Sequence, residues 1–166
     1  MPISNFEVKL NGLDKLEKKF VSLGKAQVID VLRQAMASST NEVVKQSRTI
    51  LNTLKGVDTG ALIGSIHDSV TVEGGDIIGS VGSPEKYALY IERGTGQAAG
   101  HSGYFPPPEA LKDWCRRHGN MNPFLVARAI SRRGTKARPF LVPGLEKAKT
   151  KITQNFQQAI KYLLQK

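Results

Sequence analysis

The feature that most constrains this chain is the stretch from Lys25 to Leu54, which contains neither glycine nor proline. Within it Val28, Leu32, Ala35, Ser39, Val43, Ser47, Ile50 and Leu54 recur every three or four residues. That spacing places them on one stripe of a helix. At about 1.5 Å per residue the helix is roughly 40 Å long, enough to span a small domain and serve as its backbone. Gly56 is the expected stop.

The flanking segments supply a sheet. Phe6, Val8 and Leu10 alternate with Glu7 and Lys9, the pattern of a half-buried strand. Asn11-Gly12 predicts a turn, and Leu13, Leu16 and Phe20 a short helix ending at Gly24. Further on, Ile66, Val70 and Val72 alternate with His67, Ser69 and Thr71, giving a strand that runs to Glu73. Gly74-Gly75 follows, and a two-residue type I′ turn needs positive φ at both positions. Asp76–Gly82, with Ile77, Ile78 and Val81, then reads as the returning strand of a hairpin.

The segment Tyr87–Glu92 is apolar enough to be buried and suits either a helical turn or a strand. Tyr87 and Tyr90 are core residues or interface anchors, with the core favoured. Glycines at 94, 96, 100 and 103 mark a flexible stretch ending in Pro106-Pro107-Pro108, a stiff loop or a docking segment. Glu109 to His118 reads as a short helix with Leu111, Trp114 and Cys115 inward. Asn122-Pro123 is a helix start, an N-cap followed by proline at the first helical position. That helix carries Phe124, Leu125, Ala127 and Ile130 and stops at Gly134. A last helix is expected from about Gly144, with Leu145, Ala148, Ile152, Phe156, Ala159 and Leu163 as its stripe. The order predicts an α+β fold: a small, mostly antiparallel sheet packed against a long helix and a C-terminal helix, with an inserted helical segment. At 166 residues, without repeats, the chain is expected to form a single domain.

Charge is unevenly placed. Residues 1–92 carry a net charge of −1 and residues 93–166 a net charge of +11. A basic half attracts an acidic protein surface, a membrane or nucleic acid. The best candidates for such contacts are Arg128, Arg132, Arg133 and Lys136, since Arg128 and Arg132 lie one helical turn apart. The competing view is a solvated basic face, favoured because the aromatic residues that accompany a nucleic-acid platform are not interleaved with these cations. No apolar run is long enough to cross a bilayer, and the N-terminus has neither the basic start nor the apolar stretch of a signal peptide.

Residues for catalysis do not assemble. Cys115 is the one cysteine, so no internal disulfide can form, and a lone helical cysteine beside Trp114 is best read as a small core hydrophobe. His67, His101 and His118 lie in separate elements. Cys115 and His118 make one C-x-x-H pair without the second pair that a tetrahedral metal site needs. Gly94-Thr95-Gly96 lacks the third glycine of a nucleotide loop and opens no helix. Most acids fall in the first half, with no spacing that singles out a general acid and base. No enzyme, metal or cofactor is therefore expected.

Three motifs occur in order: Asp58-Thr59-Gly60-Ala61-Leu62 with Ser65-Ile66; Tyr87-Ala88-Leu89-Tyr90-Ile91-Glu92-Arg93-Gly94-Thr95; and Ala137-Arg138-Pro139-Phe140-Leu141. With the opening Phe-x-Val-x-Leu strand and the long helix, this succession resembles the tail-completion, or neck, family of tailed bacteriophages with long tails. The resemblance implies a non-enzymatic virion protein made in the host cytoplasm. It would form a ring, hexameric in that family, at the head–tail junction around the DNA channel. Its partners would be further copies, tail terminator or tail tube proteins, head-closure or connector proteins, and genomic DNA, with no membrane. A tail terminator capping the tube is the nearest alternative, and a basic DNA-binding module an alternative of another class. The segment of about 96–134 reads as an insertion in the family core. Thr59, Gly60, Tyr87, Tyr90, Glu92, Gly94, Thr95, Arg138, Pro139 and Phe140 are the expected structural residues. Thr59-Gly60 would lead the chain from helix to hairpin, and Pro139-Phe140-Leu141 would be an extended plug anchoring the last helix. Glu92 and Arg138, the charges of the two most distinctive motifs, are expected to pair.

Overall fold

The computed structural model describes residues 6–10, 24–54, 58–100 and 102–165. Strand β1 (Phe6–Leu10) is followed by helix α1 (Lys25–Thr53), a one-turn helix α2 (Ala61–Ser65) and the hairpin β2 (His67–Glu73) and β3 (Asp76–Gly82). Helix α3 (Ala88–Arg93), a 3-10 turn (Gly96–Ala99), and helices α4 (Pro108–Arg117), α5 (Pro123–Arg133) and α6 (Leu141–Leu164) complete the order. The fold is α+β, as the hydrophobic periodicities predict. The expected turn at Asn11-Gly12, the helix through Leu13, Leu16 and Phe20, and the stop at Gly56 lie outside the described residues.

The sheet is antiparallel throughout, in the order β1-β3-β2. Gly74 and Gly75 adopt φ of 58° and 92°, the positive values that a tight I′ turn demands. Strand β3 is central, and its alternation buries Ile77, Gly79 and Val81 on one face. Helix α1 crosses that face. A Cβ at Gly79 would fall 2.6 Å from Thr40 Cγ2 and 2.7 Å from Met36 Sδ, so the strand has no side chain where the helix passes closest. Asp68 on β2 accepts a hydrogen bond from Thr40 Oγ1, tying the neighbouring strand to the same turn of α1.

Along another side, α1 runs antiparallel to α6. One end of the seam packs Val28 and Leu32 with Ala159 and Leu163, and the other packs Val43, Val44 and Leu51 with Phe140, Leu141 and Ala148. The predicted α1 stripe from Val28 to Ile50 is buried throughout, and Leu54 is half-buried. Its serines have a reason. A Cβ at Gly144 would enter the van der Waals shell of Ser47 Oγ and lie 3.0 Å from Ser47 N. Small residues thus let the two backbones approach, and Ser39 accepts a hydrogen bond from Asn155 Nδ2 farther along. The Oγ of Ser47 is buried with no hydrogen-bond partner.

Helix α6 starts at Leu141, three residues before the expected Gly144. Proline is tolerated in a first turn, where its missing N–H would have had no intrahelical partner. Pro143 sits there and therefore does not mark the boundary.

This seam makes a thermodynamic prediction. Gly144→Ala should cost a net 1–2 kcal/mol, approximately, because overpacking outweighs the gain in helix propensity. Ser47→Ala should be neutral or stabilising by up to about 1 kcal/mol, since it removes an unpaired buried hydroxyl. The cost of Gly144→Ala should shrink in the Ser47→Ala background. Urea denaturation of the four chains in this double-mutant cycle measures both terms, and strict additivity would refute contact between these positions.

Candidate interaction surfaces and the motif junction

The two later motifs meet in space. Gly94 has φ 73° and Gly134 φ 72°, and between them Thr95 and Thr135 form an antiparallel bridge. The backbone N–H of each threonine donates to the other's carbonyl, at 2.9 and 3.0 Å, and the hydroxyls lie 2.8 Å apart. A Cβ at Gly94 would lie 2.5 Å from Thr135 O, so close approach as well as positive φ requires glycine. Arg138 N–H then donates to Ile91 O at 2.7 Å. The Gly94-Thr95-Gly96 run is thus a docking point for the chain that leads into α6.

Glu92 holds the centre of this junction. The structure corrects its expected pairing with the Arg138 head. Its buried carboxylate accepts from three backbone N–H groups: Phe140 at 2.7 Å, Leu141 at 2.9 Å and Val142 at 3.1 Å. A helix start leaves its first N–H groups without intrahelical partners. Here Phe140 precedes the helix, Leu141 and Val142 open it, and Pro143 has no N–H to satisfy. One carboxylate from 48 or more residues away therefore completes the N-terminus of α6. Its charge also faces the positive end of the helix dipole. Arg138 is exposed, and its side chain lines a groove beside α3.

That groove has a volume of about 660 Å³ and runs between the end of α1, α2, α3 and α4. Thr59 and Gly60 form part of its wall, with Gly60 at φ 75° capping α2. Tyr87 and Trp114 also line it, exposed by 39% and 36%. This corrects the assignment of Tyr87 and Trp114 to the core. Tyr90, 45% exposed, is likewise on the surface, where it stacks on Tyr104 with ring centroids 6.1 Å apart. Their place in apolar segments suggests burial, but Tyr87 and Trp114 face a groove and Tyr90 the surface rather than the α1–α6 core.

At one end of the groove, Arg117 Nε donates to both Asp58 carboxylate oxygens at 2.9 and 3.1 Å, and Nη2 adds a further contact. Asp58 belongs to the Asp-Thr-Gly motif and Arg117 to α4, so this fork binds the 96–134 segment to the motif. The Arg117 guanidinium holds the Asp58 carboxyl below its ordinary range, first through these hydrogen bonds. His118 stacks on Trp114 and lies 3.9 Å from Asp58. Cys115, its C-x-x-H companion, is buried, as expected of a small core residue.

Helix α5 begins as predicted, with Asn122 Oδ1 accepting from Phe124 N at 2.9 Å. Only Ala127 of its apolar residues is fully buried. Phe124 and Leu125 are 54% and 59% exposed, and the Phe124 ring packs at a tilt against the exposed Phe105, with centroids 5.8 Å apart. Arg128, Arg132, Arg133 and Lys136 are all exposed, and no ion pair joins them to an acid among the described residues. Phe124 stands one helical turn before Arg128 on α5, the i, i+4 relation that sets two side chains on one helix face.

A family model named HK97-gp10-like, described as "Bacteriophage HK97-gp10, putative tail-component", matches residues 14–94. Across that stretch the chain is similar to this phage tail-component family. The match takes in α1, α2, the β2–β3 hairpin and α3, and ends at Gly94. It thus contains Glu92, while the helix start that Glu92 completes lies beyond it. No curated protein and no solved structure matches the chain. No helix among the described residues is long and apolar enough to cross a membrane.

Two outcomes test this junction and fork. Glu92→Ala should cost at least about 3 kcal/mol, since three buried N–H groups lose their acceptor, and Glu92→Gln about 1–2 kcal/mol. Equal losses in denaturant midpoints for the two variants would contradict the three-donor arrangement. For Asp58, a depressed folded pKa means a contribution present above the unfolded carboxyl value and lost as pH falls through the folded one. The stability gap between the native chain and Asp58→Asn should therefore close on acidification, in denaturation curves collected between neutral pH and about pH 3. A gap independent of pH would contradict the Arg117 assignment.

Proposed function

We propose that this protein is a structural neck component. It assembles as a ring at the head–tail junction and completes the tail for joining. The observation that carries this reading is the tail-component family match over residues 14–94. The surface chemistry supports it: an apolar groove and an exposed aromatic patch are features of interfaces, where aromatic residues and arginine are enriched. The 96–134 segment carries most of these exposed groups and is assigned as an insertion that determines partner contacts. No step of chemistry enters the role. Partners are further copies of the chain, tail tube or terminator proteins, and head-closure or connector proteins, all within the virion.

Electron microscopy of intact particles tests the placement. Density for this chain at the junction, present on isolated tails and missing from preassembled heads, is the expected outcome. Its absence from the junction would reject the proposal. Tails of variable length in particles lacking the protein would favour the terminator role instead.

A second contact, with DNA in the channel, is favoured by the exposed cations on α5. Replacing Arg128 and Arg132 with alanine should weaken duplex binding by the assembled protein. It should also lower the slope of log affinity against log salt by about 0.9 for each phosphate no longer neutralised. An unchanged slope assigns these cations to a protein partner.

A further inference from the structure

We infer that the chain between Thr95 and Thr135 is a hinged arm, latched over the groove by the Asp58–Arg117 fork. The inference concerns movement within one chain and goes beyond the neck reading, on which it does not depend. Entry and exit of the arm meet at the Thr95–Thr135 bridge. Just inside it Gly96 and Gly134 face each other at φ 59° and 72°, and a Cβ at Gly96 would lie 3.0 Å from Gly134 Cα. The neck therefore has no side chains at this point to buttress the arm. Hinges are a few such positions, often small residues, that absorb a change in φ and ψ.

Beyond the neck the arm is a body of its own. Among the described residues α4 and α5 pack on each other, and α5 on the 3-10 turn, while neither helix packs closely on α1, the sheet or α6. Cys115 of α4 and Ala127 of α5 are buried, and Met121 N–H donates to Cys115 O at 3.2 Å where the two helices connect. What holds this body against the rest is slight. On the arm Leu111 and Trp114 line the groove, and on the other side stand Leu54, Leu62 and Ile63, with a volume of about 660 Å³ enclosed. Apolar walls with such a gap between them forfeit much of the dispersion attraction that would fix α4 in place. The Tyr90–Tyr104 stack joins the arm to α3 one helical turn before Gly94, close to the pivot. Away from the pivot, the polar tether of α4 among the described residues is Asp58, held by Arg117 and 3.9 Å from His118. The two fork side chains are 41% and 23% exposed, and ion pairs open to solvent are individually weak. A segment with few buried contacts to its surroundings opens at low cost. Releasing the fork uncovers Leu54, Leu62 and Ile63.

The test uses the full chain with nitroxide labels at Lys45→Cys on α1 and Lys112→Cys on α4. Both positions are exposed, and Cys115 is buried away from the label. Pulsed electron paramagnetic resonance should give one narrow distance with the fork intact. Asp58→Asn should broaden and lengthen it, and so should Arg117→Gln, both variants keeping the native circular dichroism. Trp114, the one tryptophan, reports separately without labels. Its acrylamide quenching constant should rise in either variant by up to roughly threefold, the ratio of a free ring to one 36% exposed. An identical narrow distance with and without the fork would overturn the inference, as would a distribution already broad with the fork intact. A shorter and equally narrow distance in the variants would overturn it too, by showing the fork to be a strut that keeps the groove open. Loss of native circular dichroism in both variants would do the same, because the fork would then hold the fold and not the arm. All of these outcomes leave the neck reading to its own test.

Discussion

The carboxylate of Glu92 against the first turn of α6 is the interaction on which the rest of the architecture depends. Helix α6 covers one side of α1 for most of its length, and its starting point determines how the two register. Three N–H groups at that start need an acceptor, and the residues before the helix provide none: Phe140 has no polar side chain and Pro139 precedes it. A buried carboxylate with fewer than three donors would be costly, and three buried donors without the carboxylate equally so. Each side makes the other tolerable. The junction therefore forms as a unit, and it brings α3 and α6 to the same end of the domain.

Two close approaches extend that logic. Gly79 lets α1 cross the sheet, and Gly144 lets α6 lie against α1 at Ser47. The central helix is thus held at short range on both sides at these two points. The Thr95–Thr135 bridge adds the third constraint by returning the chain from α5 to the junction. Between those threonines the chain makes α4 and α5, anchored back to the Asp-Thr-Gly motif by the Asp58–Arg117 fork. A scaffold held this tightly can present apolar groups outward without losing its own core.

Length, stripe and turn chemistry of the main elements were legible in the sequence. Helix α1, the β2–β3 hairpin and its I′ turn, the Asn122 cap of α5 and the stripe of α6 follow from period, glycine pairs and capping residues. These are local properties, set by residues within a few positions of one another. The candidate site was legible only in part. Arg128, Arg132, Arg133 and Lys136 were identified as exposed cations, but the groove and the exposed Phe124–Leu125 pair were not. Tyr87, Trp114, Phe124 and Leu125 fit an apolar stripe equally well whether the stripe faces a core, a groove or solvent.

By itself the sequence determined the α+β class, the uneven charge and the ordered motifs that resemble those of a phage tail-completion family. Tertiary structure alone decided the partner of Glu92. Charge pairing suggested Arg138, because opposite charges in the two most distinctive motifs are the pattern that sequence makes visible. Backbone N–H groups carry no signature in sequence, since nearly every residue has one. Only the fold shows which three stand together at a helix start, without acceptors of their own and within reach of one carboxylate.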